Sequence, residues 1–109
     1  MYIKVKNKKI KIQELTNWKE RMKSLKFILE PIDYGIKIPN KRWINTYFFC
    51  QRVDVCITNQ ENIIIGLRSR MKSEKRKFLW EKCNIYYLPL NTVENLNLGD
   101  SIIEKKDLS

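Results

Sequence analysis

The chain contains no histidine. That removes the usual general base near neutral pH and the commonest metal ligand, so any catalytic mechanism would have to run on Asp, Glu, Lys, Cys or Tyr. Three glycines and three prolines in 109 residues are too few for a disordered or collagen-like chain. Three cysteines, Cys50, Cys56 and Cys83, form an odd set without CxxC spacing. Neither a disulfide framework nor a zinc site is indicated, and reduced thiols point to a cytoplasmic location. No apolar run approaches the roughly 18–20 residues of a membrane span. The N-terminal "MYIKVKNKKIKIQ" alternates lysine with apolar residues and has no apolar signal-peptide core. No cofactor is implied.

Acidic residues are also scarce relative to basic ones, 12 against 22, for a formal charge of +10. Such an excess favours anionic polymers or nucleic acid as partners through long-range attraction, or serves solubility alone. The length fits one core. The reading is a single β-rich domain over residues 1–104 followed by a short polar tail, 105–109.

Ile3 and Val5 alternate with lysines, as do Ile10 and Ile12, which predicts an N-terminal hairpin with one apolar and one lysine face. The lysines also protect a sheet edge from pairing with other chains. In "TNWKERMKSLKF", Asn17 and Glu20 have capping-box spacing, and Trp18, Met22 and Leu25 share a face. A short helix is expected near residues 17–28. Pro31, Gly35 and Pro39 predict a mostly irregular stretch over 30–42. "VDVCI" and "IIIGL" read as strands around the turn "TNQEN", with Val53, Val55 and Ile57 forming the inward face. "RSRMKSEKRK" reads as a charged, partly helical connector, "IYYLPL" as a strand ending at Pro89, and "NTVENLNLGDSI" as a turn into a last strand. Short strands and polar turns with one helix predict a compact β-sandwich or barrel-like domain.

Four segments resemble the bacterial and archaeal domain-of-unknown-function family 192. "ERMKSLKF" is similar to the family's first-helix element, keeping Arg21 and Leu25. Thr46 stands eight residues before Asp54, which opens a hydrophobic strand as in the family. "YLPLN" matches its apolar strand, Pro, any residue and Gly, with Asn91 in place of the Gly; Asn is the next-best residue for a left-handed backbone. Gly99–Asp100 corresponds to a Gly-Asp pair before the terminal strand. With its departures, Ser24 for Gly, Lys26 for Met and Arg52 where relatives often have Pro, the chain looks like a divergent member. The resemblance implies a β-rich sandwich or barrel with a short helix and no established activity.

Asp54, between Val53 and Val55, is the most informative single residue. A buried carboxylate without donors costs several kcal/mol. Donors could come from Arg52, Arg21, the Thr46 hydroxyl or turn amides. In one reading Asp54 ties a neighbouring element to the sheet; in the other, Arg21, Thr46 and Asp54 converge on a polar ligand. The structural reading is preferred, because buried polar networks often fix a fold without touching a ligand. Asp100, next to Gly99, reads as a turn residue. Arg68, Arg70, Lys72, Lys75, Arg76 and Lys77 crowd ten residues beside Phe78 and Trp80, a composition suited to phosphate contact and base stacking. A solvated charge run is the plainer explanation. The function expected is a non-catalytic binding or accessory module, with a basic nucleic-acid-associated protein as the alternative.

Overall fold

The computed structural model describes residues 1–6, 8–14, 34–45, 52–71 and 76–105. Six strands form one sheet: β1 (Tyr2–Val5), β2 (Lys8–Glu14), β3 (Gly35–Asn45), β4 (Val53–Thr58), β5 (Ile64–Met71) and β6 (Arg76–Leu88). Their order is β1-β2-β3-β6-β4-β5, and the sheet curls into a barrel-like half-cylinder. The chain is therefore a mainly β, barrel-like domain. The helix expected at 17–28, with Trp18, Met22 and Leu25, lies outside the described residues. Among those described, the helical element is a single 3-10 turn, Val93–Asn95, and no helix is long and apolar enough to cross a membrane.

The N-terminal alternation does form a hairpin. β1 and β2 pair antiparallel with Ile3 opposite Ile10, and Ile3, Val5, Ile10 and Ile12 are all buried. β2 then pairs in parallel with β3, Ile12 facing Gly35.

Three expectations are corrected. The stretch 35–45 is a strand, because the ladder between β3 and β6 accommodates its proline. Register shifts flank Lys41, and Asn40 takes φ 56°, so Pro39 sits beside an irregularity where a missing N–H does little harm. The described ends of the connector are strand, not helix: Arg68–Met71 finish β5 and Arg76 begins β6, which extends well upstream of "IYYLPL". Finally, β4 has no single inward face. All six of its residues are buried, because β4 lies between β5 and β6 and both of its faces are covered.

The core accordingly has two parts. Val53, Val55 and Ile57 join Ile36, Ile38, Cys83, Ile85 and Tyr87 on one face. Cys56, Tyr86 and Leu88 join the hairpin's isoleucines, Ile64, Val93 and Ile102 on the other. Among the candidate core residues, Leu79 is half-buried against the first part, and Leu88 and Ile64 are buried in the second.

Among the described residues, those after the 3-10 turn add no further strand to the sheet. They run between the two sheet edges instead: Ser101 bridges to Ile63 beside β5, and Lys105 bridges to Tyr2 on β1. Ile64 N–H donates to the Asp100 carbonyl at 2.8 Å, and the Lys105 and Tyr2 main chains exchange two 2.8 Å bonds. Lys105, assigned above to the polar tail, is thus held to the sheet.

Candidate functional site

Asp54 is fully buried on β4, opposite Leu88 of β6. Its Oδ1 accepts the Arg70 N–H at 2.9 Å, and its Oδ2 accepts the N–H groups of Thr92 and Val93 at 2.9 and 3.1 Å. Its donors are therefore main-chain amides from two separate segments. One is the end of β5, where the β4–β5 register slips between Val53 and Val55 and Arg70 takes φ 50°. The other is the start of the 3-10 turn, whose cap residue Thr92 makes no capping bond of its own to that turn. The Thr92 hydroxyl instead donates to the Pro89 carbonyl at 2.7 Å, closing the Pro-Leu-Asn-Thr turn. Asp54 thus caps, from a distant strand, amides that a local side chain would ordinarily satisfy.

Of the remaining candidates, Arg70 and Asn91 join this network. Arg21, Thr46, Lys72 and Lys75 lie outside the described residues, so the proposed cluster of Arg21, Thr46 and Asp54 is described only at Asp54. Arg68 and Arg70 are exposed at the end of β5, while Arg76 and Lys77 belong to β6. Arg70 Nη2 donates to Asn91 Oδ1 at 3.1 Å. Asn91 is left-handed at φ 68°, and Gly99, at φ 90°, donates to the Ile64 carbonyl at 2.9 Å. Asp100 N–H closes a turn onto the Asn97 carbonyl at 3.2 Å.

The platform held by Asp54 borders a groove of about 320 Å³, lined by Val5, Lys6, Lys8, Ile10 and the segment Leu90–Thr92 with Asn95. Val5, Ile10 and Thr92 are buried and form its floor; Lys6, Lys8, Asn91 and Asn95 are exposed around it. Among the described residues no carboxylate lines it. Lys6 sits at the hairpin turn with φ 47°. In the sequence pattern Lys6 belongs to the lysine face that protects a sheet edge. Nothing in the order of residues brings the β1–β2 turn against residues 90–95; sheet curvature does that.

A second polar cluster lies elsewhere in the barrel. Lys37 Nζ is 2.7 Å from Glu104 Oε1, and the Tyr86 hydroxyl donates to the same carboxylate. Burial, reinforced by Glu104, pushes the Tyr86 phenol well above its ordinary range. Burial pushes the Cys56 thiol up to about 12 and also raises Cys83, where Glu81 adds to the effect. These thiols are held protonated, the opposite of what a nucleophile needs. Cys50 lies outside the described residues.

No family profile and no curated protein sequence matches the chain. Its fold is similar to that of a crystallised protein of unknown function from Novosphingobium aromaticivorans. The TM-score is 0.73, with 10% identity over 94% of this chain and 82% of that one. At that identity the likeness is one of fold.

Proposed function

We propose that this protein is a non-catalytic binding module that takes an anionic partner at the end of the barrel holding the Lys6–Asn91 groove. The observation that carries this reading is the groove's electrostatics: two exposed ammonium groups and two amides surround it, with no carboxylate among the described lining residues. Asp54, the obvious acid–base candidate, supports a binding role rather than chemistry. Its two oxygens are occupied by three amides, so it maintains the platform.

Retention on a heparin matrix tests the reading. Charge reversal by Lys6→Glu with Lys8→Glu should lower the eluting salt concentration more than Lys4→Glu with Lys11→Glu, which changes net charge equally on exposed residues elsewhere in the hairpin. Equal losses would mean that net charge alone causes retention, and the groove would have no special part.

A nucleic-acid-associated role is the second reading, favoured by Arg68 and Arg70 standing exposed at the end of β5. It requires oligonucleotide affinity that falls steeply with salt and whose slope is reduced by Arg68→Glu. We also propose divergent membership of family 192. Two features support it: Asp54 is the second residue of a hydrophobic strand, and Asn91 adopts the left-handed conformation at the position where that family prefers glycine.

A further inference from the structure

We propose that the groove between the β1–β2 turn and residues 90–95 is a small-molecule site for an amphipathic organic anion, a single carboxylate or phosphate head on a short apolar body. The inference rests on the binding-module reading and names the ligand class for the same site.

Size comes first. About 320 Å³ is at the lower end of small-molecule sites and is too little for a folded partner's surface loop and its neighbours. The lining is then divided by chemistry. Val5 and Ile10, 5% and 1% exposed, are covered by the fold itself and only close the groove from below, so Leu90, at 38%, supplies its accessible apolar surface. A polymer held by phosphates alone has no use for that wall; a short alkyl or aryl body packed on Leu90 does.

The head-group end is built from donors. Among the described residues neither Lys6 nor Lys8 has a carboxylate partner, so both ammonium groups are available for an anion. Asn91 is also set up as a donor. Arg70 Nη2 occupies its Oδ1, which fixes the amide orientation and leaves Nδ2 free on a residue that lines the groove. The Arg70 main chain is itself held by Asp54, as are the amides of Thr92 and Val93. Both arms of this wall are thereby fixed before a ligand arrives, which lowers the ordering cost of binding.

The test is amide chemical-shift mapping of the full chain with four probes: octyl phosphate and octanoate, kept below micelle formation, inorganic phosphate, and 1-octanol. Octyl phosphate and octanoate should produce saturable shifts centred on Lys6, Ile10, Asn91 and Asn95. Inorganic phosphate and octanol should each bind at least about tenfold more weakly, since each lacks one half of the recognition. Lys6→Gln with Lys8→Gln should weaken octyl phosphate by about tenfold or more, and Leu90→Ser by about threefold. These residues are exposed, so the variants should keep the wild-type spectrum elsewhere. Asn91→Gly keeps the left-handed turn and should also weaken binding.

Equal affinity for inorganic phosphate would reduce the groove to a bare anion site and overturn the proposal. Equal affinity for octanol would do so from the other side. Shifts outside the groove, or affinities unchanged in the variants, would also overturn it. If no probe binds while groove-dependent heparin retention persists, the small-molecule proposal falls and the broader binding reading stands.

Discussion

Arg70 is attached at both of its ends: its main-chain N–H donates to Asp54 Oδ1 and its guanidinium to Asn91 Oδ1. One residue at the end of β5 therefore links a buried carboxylate on β4 to an exposed turn after β6. Asp54 completes the circuit by accepting the amides of Thr92 and Val93, immediately after Asn91. The groove wall and the buried polar network belong to the same structural unit. A change at Asp54 should alter stability and groove shape together.

Asp54→Ala should destabilise the domain by at least about 2 kcal/mol, because three amides lose a charged acceptor and at least two of them are buried. Asp54→Asn should cost less, about 1–3 kcal/mol. A carboxamide presents one oxygen, so whichever way it turns, its NH₂ faces a main-chain N–H. Urea unfolding midpoints of the two variants check the order. Unchanged stability in Asp54→Ala would contradict a structural role.

This part of the architecture was partly legible in the sequence. A carboxylate between Val53 and Val55 had to find donors, and turn amides were among those available. Which turn could not be read, because Asp54 and Thr92 are brought together only by the antiparallel register of β4 on β6. The hairpin was plain from Ile3, Val5, Ile10 and Ile12, since period-two alternation with one buried face fixes both type and register. β3 was hidden because Pro39 signals a break, and only the observed register irregularity explains how a strand carries it. β4 misled in the opposite direction: "VDVCI" looks alternating, but both faces of a central strand are covered. The groove was invisible because its lysines and asparagines are some 85 positions apart in the chain.

Gly35 tests the close approach of β2, β3 and β6. A Cβ there would lie 2.5 Å from Ile12 Cδ1 and 2.9 Å from Leu88 Cδ2, and both side chains are buried. Gly35→Ala should therefore cost about 1–3 kcal/mol through overpacking. Ile12→Val removes the nearer atom, so the double variant should be more stable than the sum of the two single changes predicts. A double-mutant cycle in urea measures the coupling, and strict additivity would place the strain elsewhere.

Leu88 is fully buried between the hairpin and the C-terminal segment, in the same part of the core as Ile12, Val93 and Ile102. Leu88→Ala should cost about 2–5 kcal/mol through lost burial and the cavity left behind. An unchanged urea midpoint would contradict the core assignment.

Alkaline pH should unfold the domain through groups held neutral by burial. The Cys56 thiol rises from 9.0 to about 12, and the Tyr86 phenol is also raised, first by burial and then by its bond to Glu104. In the unfolded chain both ionise at their ordinary values, so above about pH 9 the unfolded state loses protons that the folded state retains. Their contribution is fully present below pH 9 and is lost as pH rises through the folded values. Each titrating group should lower stability by about 1.4 kcal/mol per pH unit within its window. Cys56→Ala removes the thiol at a small cost in volume, and Tyr86→Phe removes the phenol while leaving Lys37 paired with Glu104. Measured by urea unfolding from pH 8 to 11, the wild type should lose stability steeply above pH 9. Cys56→Ala should delay the onset by about a pH unit, and Cys56→Ala with Tyr86→Phe should flatten the profile further. A wild-type profile that stays level to pH 11 would mean that neither group is held neutral by the fold.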